Sequence, residues 1–294
     1  MTTLLITGAR GQLGSDLLRA AAAAGVAASG FGSAELDITD ADAVESAVAA
    51  FVDRAEAPVL VNAAAYTAVD AAETDADRAY QVNEGGARNL AMAAARHQVG
   101  LIHVSTDYVF GGDADRPYRV DDPTGPQSVY GASKLAGEQA VLAAHPAAQV
   151  VRTAWVYGAT GSNFVKTMAR LEAGHPTITV VDDQQGSPTW SADLAVALIE
   201  LAEAEVPGGV LHAAGGDQTS KFGFARAIFE ELGADPDRVQ PTTTDAFPMP
   251  AVRPAYSVLS SDAWTAAGLR PLRPWRDALA RAFAADPDAY LPAR

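Results

Sequence analysis

No cysteine occurs in the 294 residues. That excludes disulfides, a thiol nucleophile and any cysteine-ligated metal site, and it is compatible with the cytoplasm. Positive charge is also scarce: 21 Lys and Arg against 36 Asp and Glu leave a formal net charge of −15. Such a balance argues against general affinity for nucleic acid or an anionic membrane. It opposes long-range attraction of an anionic substrate too, so any phosphate site must be local. No apolar run approaches the roughly 20 residues that a bilayer-spanning helix requires. After Met1 the chain enters its first strand candidate directly, with no basic region followed by a long apolar stretch, so neither secretion nor membrane insertion is expected. His97, His103, His145, His175 and His212 are scattered, without the i, i+4 pairing of zinc proteases; they read as structural, and no metal is expected. Gly158-Ala159-Thr160-Gly161-Ser162 lacks a nucleophile elbow, which disfavours a serine hydrolase.

What is present reads as a soluble globular enzyme, 49% hydrophobic and 19% charged, large enough for one large or two intertwined domains. Strand candidates Leu4-Leu5-Ile6-Thr7, Val26-Ala27-Ala28, Val59-Leu60-Val61, Leu101-Ile102-His103-Val104, Val150-Val151 and Val210-Leu211 alternate with helical stretches. The helices are placed at Gln12 to Ala24, Ala41 to Asp53, Asp77 to His97 and Ser133 to Ala144. This alternation predicts an α/β fold with a doubly wound parallel sheet of Rossmann type. The Gly-, Asp- and Pro-rich loop from Gly111 to Gln127 is expected to join the fifth strand to the helix that carries Tyr130. Residues 1–160 plus about 190–215 are expected to form a dinucleotide-binding domain, and about 161–189 plus 216–294 a smaller substrate-binding lobe.

Two segments carry chemistry. Gly8-Ala9-Arg10-Gly11-Gln12-Leu13-Gly14 stands between a strand and a helix, where glycines permit a tight turn and close approach to a pyrophosphate, and the helix N-terminus offers free N–H groups. Its spacing is G-x-x-G-x-x-G rather than G-x-G-x-x-G. In Tyr130-Gly131-Ala132-Ser133-Lys134 a phenol and an ammonium share one helix face, an arrangement that favours the phenolate and suits proton transfer. Alone, that spacing is common in helices. With the glycine turn, and with Ser105-Thr106-Asp107 closing a later strand, it points to nicotinamide-dependent redox chemistry. The second strand is read as Ser29-Gly30-Phe31-Gly32-Ser33, with no carboxylate to hold a ribose 2′-OH. Arg10 and Ser33 are placed to meet a 2′-phosphate, so NADPH is expected as cofactor, with NADH also usable.

Over nearly its whole length the chain resembles the extended short-chain dehydrogenase/reductases. The resemblance rests on Thr7 to Gly14, Val61-Asn62-Ala63-Ala64-Ala65-Tyr66-Thr67-Ala68-Val69-Asp70, Ser105-Thr106-Asp107-Tyr108-Val109-Phe110, Tyr130 to Glu138, and Arg152-Thr153-Ala154-Trp155-Val156-Tyr157-Gly158. The third segment and the Thr-Ala-Val-Asp run resemble the subgroup of sugar-nucleotide reductases. That resemblance implies reduction of the 4-keto group of dTDP-4-dehydro-L-rhamnose, a dTDP-sugar substrate, to dTDP-L-rhamnose. It implies catalytic roles for Thr106, Tyr130 and Lys134. Gly8, Arg10, Gly11, Gln12, Leu13, Ser33, Asp37, Ile38, Asn62, Ala63, Ala64, Ala65 and Asn83 would join Tyr130 and Lys134 around the cofactor. Val69, Thr106, Asp107, Trp155, Asn163 and Arg253 would meet the substrate, Asn163 and Arg253 at the nucleotide's polar and anionic groups.

Plainer roles stand beside these. Asp37, Thr39 and Asp40 are all helix N-cap types, and Asn62 and Asn83 also suit the role of local cap or backbone partner. Two other functions stay open: a dehydratase or epimerase of the same fold, and a nonenzymatic NADP-binding regulatory subunit. Both monomer and homodimer are compatible with the sequence. Ser191 and Ala192 occupy the stretch where some relatives carry a carboxylate for a metal-bridged dimer.

Overall fold

Leu4, Leu5 and Ile6 are buried in succession, and the pleat sends Leu4 and Ile6 to one face and Leu5 to the other. A strand apolar on both faces belongs inside a parallel sheet covered by helices. The computed structural model, which describes residues 1–291, has that form. Its strands are β1 (Thr2–Thr7), β2 (Ala27–Phe31), β3 (Ala57–Asn62), β4 (Gly100–Thr106) and β5 (Gln149–Thr153), followed by Gly209–His212. From one edge the order is Gly209–His212, β5, β4, β3, β1, β2, all parallel. The order reverses between β1 and β3, and the loops leaving that switch point form the crevice in which such sheets bind ligands.

Helix α1 (Gln12–Ala24) lays Leu13, Leu17 and Ala21 on one sheet face beside Leu194 and Leu198 of the helix Ser191–Glu203. The opposite face is covered by α2 (Ala41–Val52), by Ala87–Arg96 and by Val129–Ala144, through Val44, Val48, Leu90, Ala94 and Val141. Each fully buried Leu or Val stabilises the fold by about 1.5–3 kcal/mol relative to exposure.

The fold corrects several local expectations. The strand before the long loop is the fourth, not the fifth. The single helix expected over Asp77 to His97 is three pieces, Ala76–Tyr80, a π-helical turn Gln81–Gly86, and Ala87–Arg96. The wider turn carries Asn83, which is fully buried. The tyrosine helix begins at Val129, because Ser128 caps it by accepting from Gly131 N at 3.2 Å. Tyr130 therefore sits in the first turn.

A third apolar cluster lies apart from the sheet, with Tyr157, Met168, Ile178, Phe224, Phe229 and Leu279 at its centre. It joins the helices Phe164–Gly174, Lys221–Glu231 and Trp275–Ala285 to a parallel pairing of Ile178–Val181 with Val239–Thr242. The run 216–294 is not all part of this cluster, since Trp264 and Leu269 pack into the core on the α1 side of the sheet. Among the described residues no helix is long and apolar enough to cross a membrane.

Candidate functional site

The turn after β1 is held by close packing. Gly8 has φ 71, and a Cβ there would lie 2.6 Å from the Ala63 carbonyl carbon, so the turn fits against the Asn62 to Ala65 segment only as glycine. Gly11 precedes α1, whose N-terminus has no side-chain cap and no acidic residue in its first turn. An uncapped helix start facing the switch point suits a pyrophosphate, so these residues fit the dinucleotide that the turn implies.

Asn62 does not project free into this crevice. Its Oδ1 accepts from Thr7 Oγ1 at 2.7 Å and from Ala64 N at 3.0 Å, and its Nδ2 meets His103 Nδ1 at 2.9 Å. Asn62 thus orders the loop after β3 from within, while Ala63, Ala64 and Ala65 beside it are half-buried. Asn83 also bridges protein groups: it accepts from Tyr66 N at 2.8 Å and donates to Tyr66 O and to Ser133 Oγ at 3.1 and 3.0 Å. Ser133 Oγ in turn donates to Tyr130 O at 2.9 Å, which ties the catalytic candidate to the loop after β3.

Beyond β2, Asp40 rather than Asp37 caps α2, accepting from Asp42 N and Ala43 N. Asp37 turns onto Thr39, accepting from its N at 2.9 Å and Oγ1 at 2.8 Å, and these bonds hold its carboxyl below the usual range. Ile38 is buried beside it, and Ser33 is exposed.

The run Ser29 to Ser33 holds no carboxylate, but the turn that follows β2 brings one, Glu35, back beside it. After β2 the chain folds back so that Leu36 N and Glu35 N both donate to Gly32 O. Glu35 Oε2 then accepts from Gly32 N at 2.6 Å, and Oε1 from Arg10 Nη2 at 2.5 Å. Glu35 stands two residues beyond the Ser29 to Ser33 run, where the strand pattern alone does not point to it.

The reactive groups gather at the C-terminal end of β4. Thr106 is buried; its hydroxyl donates to Asp107 Oδ1 at 2.9 Å and accepts from Tyr108 N at 3.3 Å. Burial pushes the Asp107 carboxyl up to about 6, against the nearby Ser257 hydroxyl, the hydrogen bond from Thr106 and the attraction of Lys221. Its Oδ2 is buried without a partner. Tyr130 packs edge-on to Tyr108, ring centres 5.5 Å apart. Burial pushes its phenol up to about 12, opposed by the adjacent Thr106 hydroxyl and reinforced by the Asp107 charge. The expectation that Lys134 favours the phenolate is not met in this state, because its Nζ donates to Val104 O at 2.7 Å. Burial draws the Lys134 ammonium down to about 8, with Glu138 opposing.

The substrate-side candidates separate. Val69 opens the short helix Val69–Ala72, and its neighbour Asp70 pairs with Arg253 through two bonds, 2.6 and 2.7 Å long. Asn163 lies elsewhere: it caps the helix Phe164–Gly174 and donates to Gln12 Oε1 at 2.9 Å and Gly158 O at 2.8 Å, so it links α1 to a helix of the third apolar cluster. Asn163 and Arg253 thus have different protein partners, Gln12 and Gly158 for the first and Asp70 for the second. Trp155 follows β5 with φ 47, a left-handed backbone rare for a tryptophan. Lys221 was missed; its Nζ stands 3.3 Å from the centre of the Trp155 indole. The chain has only three lysines, Lys134, Lys166 and Lys221, and that scarcity was a signal in the sequence.

Residues 1–286 match the family described as RmlD substrate binding domain. The dTDP-4-dehydrorhamnose reductase of Mycobacterium tuberculosis H37Rv is 56% identical over 287 residues, covering 96% of this chain and 92% of that protein. The dTDP-4-dehydrorhamnose reductase of Streptomyces griseus is 50% identical over 286 residues, covering 96% and 93%. A crystal structure of dTDP-4-dehydrorhamnose reductase from Bacillus anthracis, in complex with NADP, superposes with a TM-score of 0.92 at 38% identity and covers 97% of this chain and all of that one.

Proposed function

We propose that this chain, which belongs to the RmlD substrate binding domain family, reduces the 4-keto group of dTDP-4-dehydro-L-rhamnose to dTDP-L-rhamnose with NADPH. The observation that carries the reading is the convergence of Thr106, Tyr130 and Lys134 at the end of β4, beside a glycine turn at the sheet's switch point. NADPH, when bound, supplies a hydride for the sugar C4. As negative charge grows on the former carbonyl oxygen, the Thr106 hydroxyl donates a hydrogen bond to it and the Tyr130 phenol gives up its proton. Lys134, one helical turn beyond Tyr130, offsets the charge left on the tyrosinate once its ammonium turns from Val104 O. Asn83 and Ser133 fix the start of the tyrosine helix, and Trp155 and Val69 border the sugar. Residues 1–160 with 190–215 are read as the cofactor half, and the third apolar cluster as the body of the substrate lobe. Every group invoked comes from one chain, and the cytoplasm is the location that fits this chemistry.

The test is NADPH oxidation by the purified chain offered dTDP-4-dehydro-L-rhamnose. Turnover by the isolated chain is the expected result, and its absence would favour the regulatory-subunit alternative. A dehydratase needs a second proton-transfer group beside the strand-end threonine, and here that place holds Tyr108, whose phenol is pushed up by burial. No 4-keto-6-deoxy product is therefore expected from dTDP-glucose with NAD. Product formation without net cofactor consumption would rank the dehydratase first.

Glu35 yields a second expectation. An acidic group at this strand end favours a ribose 2′-OH, whereas a free arginine favours a 2′-phosphate, and here the two hold each other. Glu35→Gln releases Arg10 and removes a charge that repels the phosphate, so kcat/KM for NADPH relative to NADH should rise about 5-fold. An unchanged ratio in steady-state assays with both cofactors would remove Glu35 from cofactor selection.

A further inference from the structure

Three lysines in 294 residues allow each to be followed. Lys134 Nζ donates to Val104 O and Lys166 Nζ to Ala159 O at 2.5 Å. The third, Lys221, opens the helix Lys221–Glu231, and among the described residues its ammonium forms no ion pair. It rests on aromatic faces instead, 3.3 Å from the Trp155 indole centre and 5.0 Å from that of Phe164. Burial draws it down to about 7, with Asp107 opposing and Arg253 reinforcing, so it belongs to the same cleft as those two groups. A cation–π contact returns less than removing an ammonium from water costs.

The platform beneath it is built. Trp155 keeps its left-handed backbone, and its indole presses on Gly186, where a Cβ would lie 2.3 Å from Cε2. Strain of this kind, on the order of 1–3 kcal/mol, persists where surrounding packing fixes a side chain for use. Arg253, the other cation near the cleft, is already neutralised by Asp70. A nucleotide diphosphate entering a protein of net charge −15 needs a local cation whose charge is not already matched.

We propose that Lys221 is the counter-ion for the diphosphate of the nucleotide sugar, resting over Trp155 in the free enzyme and turning to the phosphate oxygens when substrate enters. The indole face is then open to the sugar ring. This rests on the nucleotide-sugar reading above, and it moves the anion contact from Arg253 to a residue of the smaller lobe.

Calorimetric titration of the full chain with dTDP and with thymidine tests it without turnover. Lys221→Met keeps the stem and removes the charge; dTDP affinity should fall at least 10-fold, while thymidine and NADPH affinities stay within 2-fold. Lys221→Arg should restore dTDP to within about 3-fold, and Lys221→Gln serves as the uncharged variant if the methionine protein does not fold. KM for the sugar nucleotide should rise in step with the dTDP dissociation constant, with kcat reduced less than 3-fold. Unchanged dTDP affinity overturns the proposal, as does parallel loss of dTDP and thymidine, which marks a collapsed pocket. Failure of the wild-type chain to bind dTDP overturns both this proposal and the nucleotide-sugar reading. Binding of dTDP without oxidation of NADPH in the presence of the 4-keto sugar defeats the reductase reading alone.

Discussion

Tyr130→Phe is expected to lower kcat about 100-fold or more while leaving NADPH affinity within 2-fold, a loss of roughly 2.7 kcal/mol of transition-state stabilisation. The substitution keeps the ring, its edge-on contact with Tyr108 and the hydrogen bond from Ser133 Oγ to the residue 130 carbonyl, since that bond is to backbone. What disappears is the proton that must reach the sugar oxygen. Thr106 is no substitute, because its hydroxyl hydrogen is directed at Asp107 in the free protein and a threonine at neutral pH is a poor acid. Steady-state kinetics together with cofactor titration make the check, and a phenylalanine enzyme with near wild-type turnover would end the assignment of Tyr130 as the acid.

The largest stability effect is expected at Glu138. Its carboxylate is buried on the tyrosine helix, accepting from Arg152 Nε at 2.9 Å, Arg152 Nη2 at 2.7 Å and Ser105 Oγ at 2.5 Å. Arg152 and Ser105 stand on β5 and β4, so the three residues join the helix to the two strands that end at the site. Both side chains of the ion pair are about 95% or more buried, at 5% and 3% exposure, which means that removing one partner leaves the other's charge without solvent. Glu138→Ala should cost about 3–5 kcal/mol. For a domain of this size that is a fall in Tm on the order of 10 °C. Pairing it with Arg152→Met should recover part of the loss, because the uncompensated guanidinium is then gone. Urea or thermal unfolding of the two single variants and the double variant measures the coupling; additive losses would show that the buried pair is not what holds the helix to the sheet.

How much of this was legible before folding depended on whether the signal was local. The strands and α1 announced themselves because burial on both faces demands contiguous apolar residues, and a glycine turn between strand and helix has few other uses. The π-helical turn at Gln81–Gly86 left no such trace: its cause is Asn83 reaching Tyr66 and Ser133, partners 17 and 50 residues away. Thr106, Tyr130 and Lys134 carry their identity in short motifs. Glu35 and Lys221 do not, since each acquires its place only when a chain reversal or a lobe brings it to Arg10 or Trp155. Asn163 is likewise placed by a distant contact, as a helix cap tied to Gln12 across 151 positions.

The sheet is not finished in chain order. After β5 the chain departs to build the third cluster, then returns with Ser191–Glu203 to cover α1 and with Gly209–His212 to flank β5. Leu194, Leu198 and Leu211 therefore supply apolar cover that Leu4, Ile6, Leu13 and Leu17 lack until more than two thirds of the polypeptide has left the ribosome. An amino-terminal half ending near residue 160 carries the complete glycine turn and the tyrosine helix, yet it leaves one side of its sheet covered by α1 alone and the outer edge of β5 unpaired. Such a fragment is a candidate for chaperone capture or aggregation rather than a small working enzyme, and the interruption of one folding unit by another makes synthesis of the carboxy-terminal third a condition for the first half to become stable.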